Sequence, residues 1–133
     1  MEEKLYKITL TESQLKLVAN AVEDWSRFLS GQCEMNYATN IVDNWKEAQD
    51  NLEKFVRPHI VPELAQNGAS YSWCGGNCPN KTQHDAIAMS YGIYREIRHY
   101  FANQNKTNNW NCYHSPTLRC KEQGPLIQIE EIK

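Results

Sequence analysis

An α+β domain, with three amphipathic helices packed on a small antiparallel sheet, is the fold class this sequence predicts. Three observations predict it: a short alternating run at residues 5–10, apolar stripes of helical spacing between residues 15 and 101, and two strand-like runs after residue 109. The order strand, helix, helix, loop, helix, strand, strand places the helices on one face of the sheet. A single domain accounts for all 133 residues, a length that buries roughly 70% of the surface its unfolded chain exposes.

Leu5-Tyr6-Lys7-Ile8-Thr9-Leu10 sets Tyr6, Ile8 and Leu10 on one face and reads as a strand with one side buried. Thr11 and Gln14 follow as a capping box, in which a hydroxyl and an amide satisfy each other's backbone donors at a helix start. Leu15, Val18, Val22, Trp25 and Leu29 recur at spacings of three and four, which assigns Trp25 to the core, and Gly31 is placed to end the helix. After Thr39-Asn40, the stripe Ile41, Trp45, Ala48, Leu52 and Phe55 defines a second helix. Pro58 and Pro62 disfavour helix at the residues before them, so 57–62 is expected to be extended, either aiming Arg57 at a fixed partner or leaving it an ordinary solvated arginine at a helix C-terminus. Asn80 or Thr82 caps the third helix. Its core stripe Ile87, Tyr91, Tyr94, Ile97 and Phe101 leaves Arg95, Arg98 and His99 off the buried face, where they reach water or a ligand. Residues 110–118 and 126–132 are the two remaining strands, joined through Lys121-Glu122-Gln123-Gly124-Pro125. The neighbouring carboxylates Glu23-Asp24 and Glu130-Glu131 point to different faces and serve solubility. Open sheet edges and two tryptophan-bearing helices point to self-association, with Trp45 as the better interface candidate and a core role for it equally open.

The candidate ligand site centres on Tyr71-Ser72-Trp73-Cys74-Gly75-Gly76-Asn77-Cys78-Pro79-Asn80-Lys81-Thr82. Successive glycines let backbone N–H groups converge on an electropositive nest, and the following helix adds the positive end of its dipole. Gly75 and Gly76 would form that nest. Arg57, Lys81, Arg95 and Arg98 neutralise phosphates, Tyr71, Trp73 and Trp110 stack a flat ring, and Asn77, Asn80, Ser115 and Thr117 read hydroxyls and amides. A small phosphorylated, nucleotide-like ligand suits that set, and a plain turn with glycines for its geometry explains the loop equally.

A formal charge of −2 and a pI near 6.1, with both signs interspersed, argue against a nucleic-acid polymer as partner. No apolar run approaches a membrane span and no basic-then-apolar leader is seen, so a cytoplasmic protein is expected. Five cysteines, Cys33, Cys74, Cys78, Cys112 and Cys120, are an odd number for a disulfide framework. Zinc on Cys74 and Cys78 with two of His84, Cys112, His114 and Cys120 is the metal alternative, but their spacing follows no zinc-finger pattern, and reduced thiols without metal are the expectation. No serine elbow, Walker loop or zinc-protease helix occurs, so neither catalysis nor a cofactor is expected.

The runs Lys7-Ile8-Thr9-Leu10-Thr11-Glu12-Ser13-Gln14-Leu15, Glu23-Asp24-Trp25-Ser26-Arg27-Phe28-Leu29-Ser30-Gly31-Gln32 and Tyr91-Gly92-Ile93-Tyr94-Arg95-Glu96-Ile97 resemble stretches of small proteins encoded by phages and prophages. Among these, the resemblance points to the anti-Thoeris sponge family, which sequesters cyclic ADP-ribose isomers without cleaving them. It implies an oligomeric anti-defence protein that binds a nucleotide-derived immune signal in the cytoplasm of a host cell. It transfers no ligand contact onto a numbered residue. A protein-binding inhibitor of a host defence enzyme and a small metal- or thiol-dependent enzyme are the competing functions.

Overall fold

The computed structural model describes residues 3–61, 80–105 and 127–133, and every element of regular structure among them is helical. The antiparallel sheet, and with it the α+β class, is therefore corrected: no strand occurs among the described residues. Residues 3–10 and 127–133 have no regular structure, and Tyr6 and Ile8, expected to face a core, are exposed. Alternation makes a segment amphipathic, but a strand also needs a ladder partner and a surface to cover. The two long helices here cover each other instead. The strand expected at 110–118 lies outside the described residues.

Helix α1 (Glu12–Leu29) begins as its sequence dictates. The Gln14 N–H donates to the Thr11 hydroxyl at 3.1 Å, and the Thr11 N–H donates to the Gln14 side-chain oxygen at 2.9 Å. It ends at Gly31 in the left-handed region, φ 84°, with Gly31 N–H on the Phe28 carbonyl and Gln32 N–H on that of Arg27, a Schellman closure. Only glycine fits this position. A β-carbon there would stand 2.7 and 2.8 Å from the two methyls of Val61.

The single second helix expected after Asn40 is instead broken into α2 (Ala38–Ile41), α3 (Trp45–Asn51), a π-helical turn (Leu52–Val56) and α4 (Arg57–Ile60). Val42 is extended and Asn44 is left-handed, φ 59°, a conformation that asparagine tolerates better than most residues. The break strands Ile41 and Phe55 at the surface. Arg57 is helical, φ −53° and ψ −39°, so the extended segment expected at 57–62 is also corrected. A proline ring collides with the carbonyl four residues back. Here the preceding turn is widened, the Arg57 N–H reaching the Leu52 carbonyl, and so leaves room for Pro58. Only Val61, which precedes Pro62, obeys the expectation, with φ −127° and ψ 147°.

Helix α5 (Lys81–Asn105) starts at Asn80, whose side chain accepts from the Gln83 N–H at 3.1 Å. It runs antiparallel to α1: Leu29 meets Gln83, Ser26 meets Ile87, and the Lys16 ammonium lies over the Phe101 ring. Ala19, Tyr94, Ile97 and Phe101 form one core cluster, flanked by Leu15, Val18 and Val22, and Val61 and Ile87 form a second with Leu29 and Ile60. The α1 face that is fully buried is Ala19, Glu23 and Ser26, continued by Ser30, rather than the wholly apolar stripe. Trp25 lies off it. Its core assignment is corrected, since it is 51% exposed and stacks on Phe28 with ring centroids 5.9 Å apart.

Candidate functional site

A polar seam runs between α1 and α5. The spacing of Ala19, Glu23, Ser26 and Ser30 turns one small, polar stripe of α1 toward the partner helix. The Ser26 hydroxyl donates to the Ile87 carbonyl at 3.2 Å, and Ser30 to the Ser26 carbonyl at 2.9 Å. At the end of the seam the Gln83 amide donates to two carbonyls, Leu29 at 2.8 Å and Ile60 at 3.1 Å, tying α1 and α4 to α5.

The middle of the seam concentrates charge and aromatic rings. Glu23, 1% exposed, accepts from Arg27 Nε at 2.5 Å, and Arg27 also donates to the Gln32 side chain at 2.9 Å. The second Glu23 oxygen is buried with no hydrogen-bond partner. Burial pushes the Glu23 carboxyl above its ordinary range, the Arg27 guanidinium pulls against that, and the neighbouring Asp24 carboxylate adds to it. The solubility role expected of this pair is corrected on both residues: Asp24 accepts the Tyr37 and Ala38 N–H groups at 3.3 and 2.8 Å and so caps α2 from across the loop.

Tyr37 and Tyr94 bring their hydroxyls within 3.4 Å, and Arg98 donates to the Tyr94 hydroxyl at 2.7 Å while its guanidinium lies 5.8 Å from that ring. Tyr91 stands beside Tyr94 with centroids 5.8 Å apart. Burial first, and the Tyr37 hydrogen bond second, lift the Tyr94 phenol far above its usual range. Tyr94 is therefore a neutral phenol at any physiological pH, a fixed dipole that orients Arg98. Tyr91, Tyr94 and Arg98 recur at the three-and-four spacing of one helix face, which is why they share the site.

Of the residues expected to hold a ligand, Arg98 belongs to this layer, while Arg95, next to Tyr94 on α5, is only 4% exposed and does not lie off the buried face as its spacing suggested. Asn80 caps the start of α5 and Lys81, its first residue, pairs with Asp85 at 2.8 Å, roughly 20 Å along the axis from Arg95 at 1.5 Å per residue. Arg57 is half-buried on α4, where its charge lowers the pKa of a Cys33 thiol that burial pushes up. Tyr71, Trp73, Gly75, Gly76, Asn77, Trp110, Ser115 and Thr117 lie outside the described residues, as do Cys74, Cys78, Cys112, His114 and Cys120 of the zinc alternative. Among the described residues no cluster of histidine, cysteine and carboxylate side chains could hold a metal ion.

Glu23, Asp24, Arg27, Tyr37, Gln83 and Tyr94 join the site without having been expected there. The signal was present as Glu23 and Arg27 four apart, and as Tyr94 and Arg98 four apart on α5.

The fold and seam define a class, a helical hairpin with a charged aromatic layer at its centre. No protein-family model matches the chain, and no curated protein or solved structure matches it significantly. No helix among the described residues is long and apolar enough to cross a membrane.

Proposed function

We propose that this protein binds and sequesters a small phosphorylated, nucleotide-like ligand of the cyclic ADP-ribose class without cleaving it, as an anti-defence sponge acting in the cytoplasm of a host cell. The observation that carries this reading is the convergence of Arg98 with Tyr37, Tyr91 and Tyr94 on one layer of the hairpin. Arginine forks match phosphate oxygens, and the half-buried rings of Tyr37 and Tyr91 offer stacking surface to a base. Arg98 is half-buried in that layer, and its hydrogen bond to the neutral Tyr94 phenol orients it.

Sequestration and turnover separate in one experiment. The protein is incubated with a panel of cyclic ADP-ribose isomers, freed of unbound ligand, heat-denatured, and the supernatant identified by mass spectrometry. Release of an intact isomer supports the sponge, release of an altered one an enzyme, and no release from any isomer removes the reading. A second function, inhibition of a host defence enzyme by direct contact, is favoured by the outer side of α1. There Leu17 and Trp25 are exposed and Trp25 is stacked on Phe28. Retention of nothing from the panel, with capture of a defence enzyme that Trp25→Ala abolishes, would favour it.

A further inference from the structure

The two oxygens of the buried Glu23 carboxyl are treated unequally. Oε1 accepts from Arg27 Nε, whereas Oε2 is enclosed in the seam with no hydrogen-bond partner, on a residue 1% exposed. Charge on such an oxygen forfeits its hydration without a donor to replace it, and a proton there removes that penalty. Asp24, the next residue, is built the other way. Its carboxylate lies beside that of Glu23, and both of its oxygens are taken, one by the Tyr37 N–H at 3.3 Å and one by the Ala38 N–H at 2.8 Å. Bonds from N–H donors favour the ionised form, so of the two neighbours Asp24 keeps its charge and Glu23 takes up the proton.

What Asp24 holds is the start of α2. No residue of that short helix is buried, so its docking on the hairpin rests on these two bonds and on Tyr37, whose ring meets Tyr94 edge to face with the hydroxyls 3.4 Å apart. We propose that Glu23 is a proton-operated latch: protonated, it lets Asp24 hold α2 and Tyr37 against Tyr94, and ionised, it repels Asp24, which then releases the Tyr37 and Ala38 N–H groups and frees Tyr37 from α5. The Tyr37 bond, the longer of the two, gives way first. Glu23 faces Arg27 and Asp24 on its own helix and, from α5, the neutral Tyr94 phenol to which Arg98 is bonded. Burial opposes its ionised form most strongly, Arg27 favours that form, and Asp24 opposes it again. The latch is therefore shut in acid and opens as pH rises through a folded-state value above 4.5. It operates whether or not a ligand occupies the layer, so it stands apart from the ligand reading.

Amide hydrogen exchange at Tyr37 and Ala38 reads the two bonds directly. It is followed by NMR on the full chain from pH 4.5 to pH 8, corrected for the intrinsic pH dependence of exchange. Protection of both amides is expected to fall about tenfold or more as pH rises, with the midpoint at which the Glu23 carboxyl carbon itself titrates. Glu23→Gln keeps the shape and never ionises, so it should hold both amides at their acid level throughout, while Asp24→Asn should leave them weakly protected at every pH. Should Glu23→Gln fail to fold, coincidence of the two midpoints in the parent decides. Protection that does not change with pH, a midpoint away from that of the Glu23 carbon, or a folded Glu23→Gln variant that still loses protection at the parent's midpoint would each overturn the latch.

Discussion

Gly31 and Glu23 are the two residues whose environments make the sharpest demands. Gly31→Ala would force a side chain into left-handed backbone and press a β-carbon against Val61. A loss of about 1–3 kcal/mol is expected from the backbone alone, measured by urea denaturation. Adding Val61→Ala to Gly31→Ala should recover part of the steric share, so the double variant should lose less than the two single losses added together. For Glu23 the sign follows from its raised folded pKa. Between the ordinary value of 4.5 and that raised value the folded state holds a proton the unfolded chain has released, so this group's contribution to stability grows as pH falls through the folded pKa, and is complete below 4.5. Thermal melts of the parent and Glu23→Gln from pH 7 to pH 4 should therefore show the parent gaining on the variant as the solution is acidified. A difference in melting temperature that does not change with pH would refute the assignment. On α5, Arg98→Ala should cut ligand retention tenfold or more, in line with about 1.5–3 kcal/mol for a charge-assisted bond, in protein that melts like the parent. Arg95→Ala, being buried, should lower the melting temperature as well.

At the scale of elements, Gln83 is the clamp that converts three helices into one unit. Gln83→Glu keeps the shape and removes the donors, so it should destabilise by about 1–3 kcal/mol through the Leu29 and Ile60 carbonyls it leaves without that amide. A denaturation midpoint equal to the parent's would show that water replaces the amide at no cost. The helix starts and stops were legible in the sequence wherever the chemistry is local: Thr11 with Gln14, Gly31, and Asn80 all act as their residue types require. What was not legible depended on neighbours. The apolar stripe of α1 indicated a helix but misplaced its buried centre, because Glu23, Ser26 and Ser30 are buried by partners rather than by their own hydrophobicity. Arg95 was misread for the same reason. Pro58 was read as a helix breaker because a widened turn ahead of it leaves no periodic signature.

For the molecule as a whole, the contacts that hold the hairpin join residues far apart in sequence, as Ser26 and Ile87 do at a separation of 61, so local opening of the seam requires parting the core. Cys33 provides a probe. It is buried and its thiol is pushed up by burial, so alkylation at Cys33, mapped by peptide mass spectrometry, should proceed only as fast as the protein opens globally and should accelerate steeply across the unfolding midpoint. Rapid labelling of Cys33 in native buffer would contradict the described burial. The π-helical turn at Leu52–Val56 has a further meaning at this scale, as a matter of phase. It winds one residue more into the path than an α-helix of equal rise holds, and each residue of α-helix is worth about 100° of rotation. Wound as ordinary α-helix with the same number of residues, the segment would count that surplus residue into the spiral, and α4 would arrive turned by more than a quarter of a revolution. Val61 would then point away from Gly31 and Ile87, and the Ile60 carbonyl away from Gln83. The surplus residue works like a shim in a gear train, setting the angle at which one end of the chain meets the other.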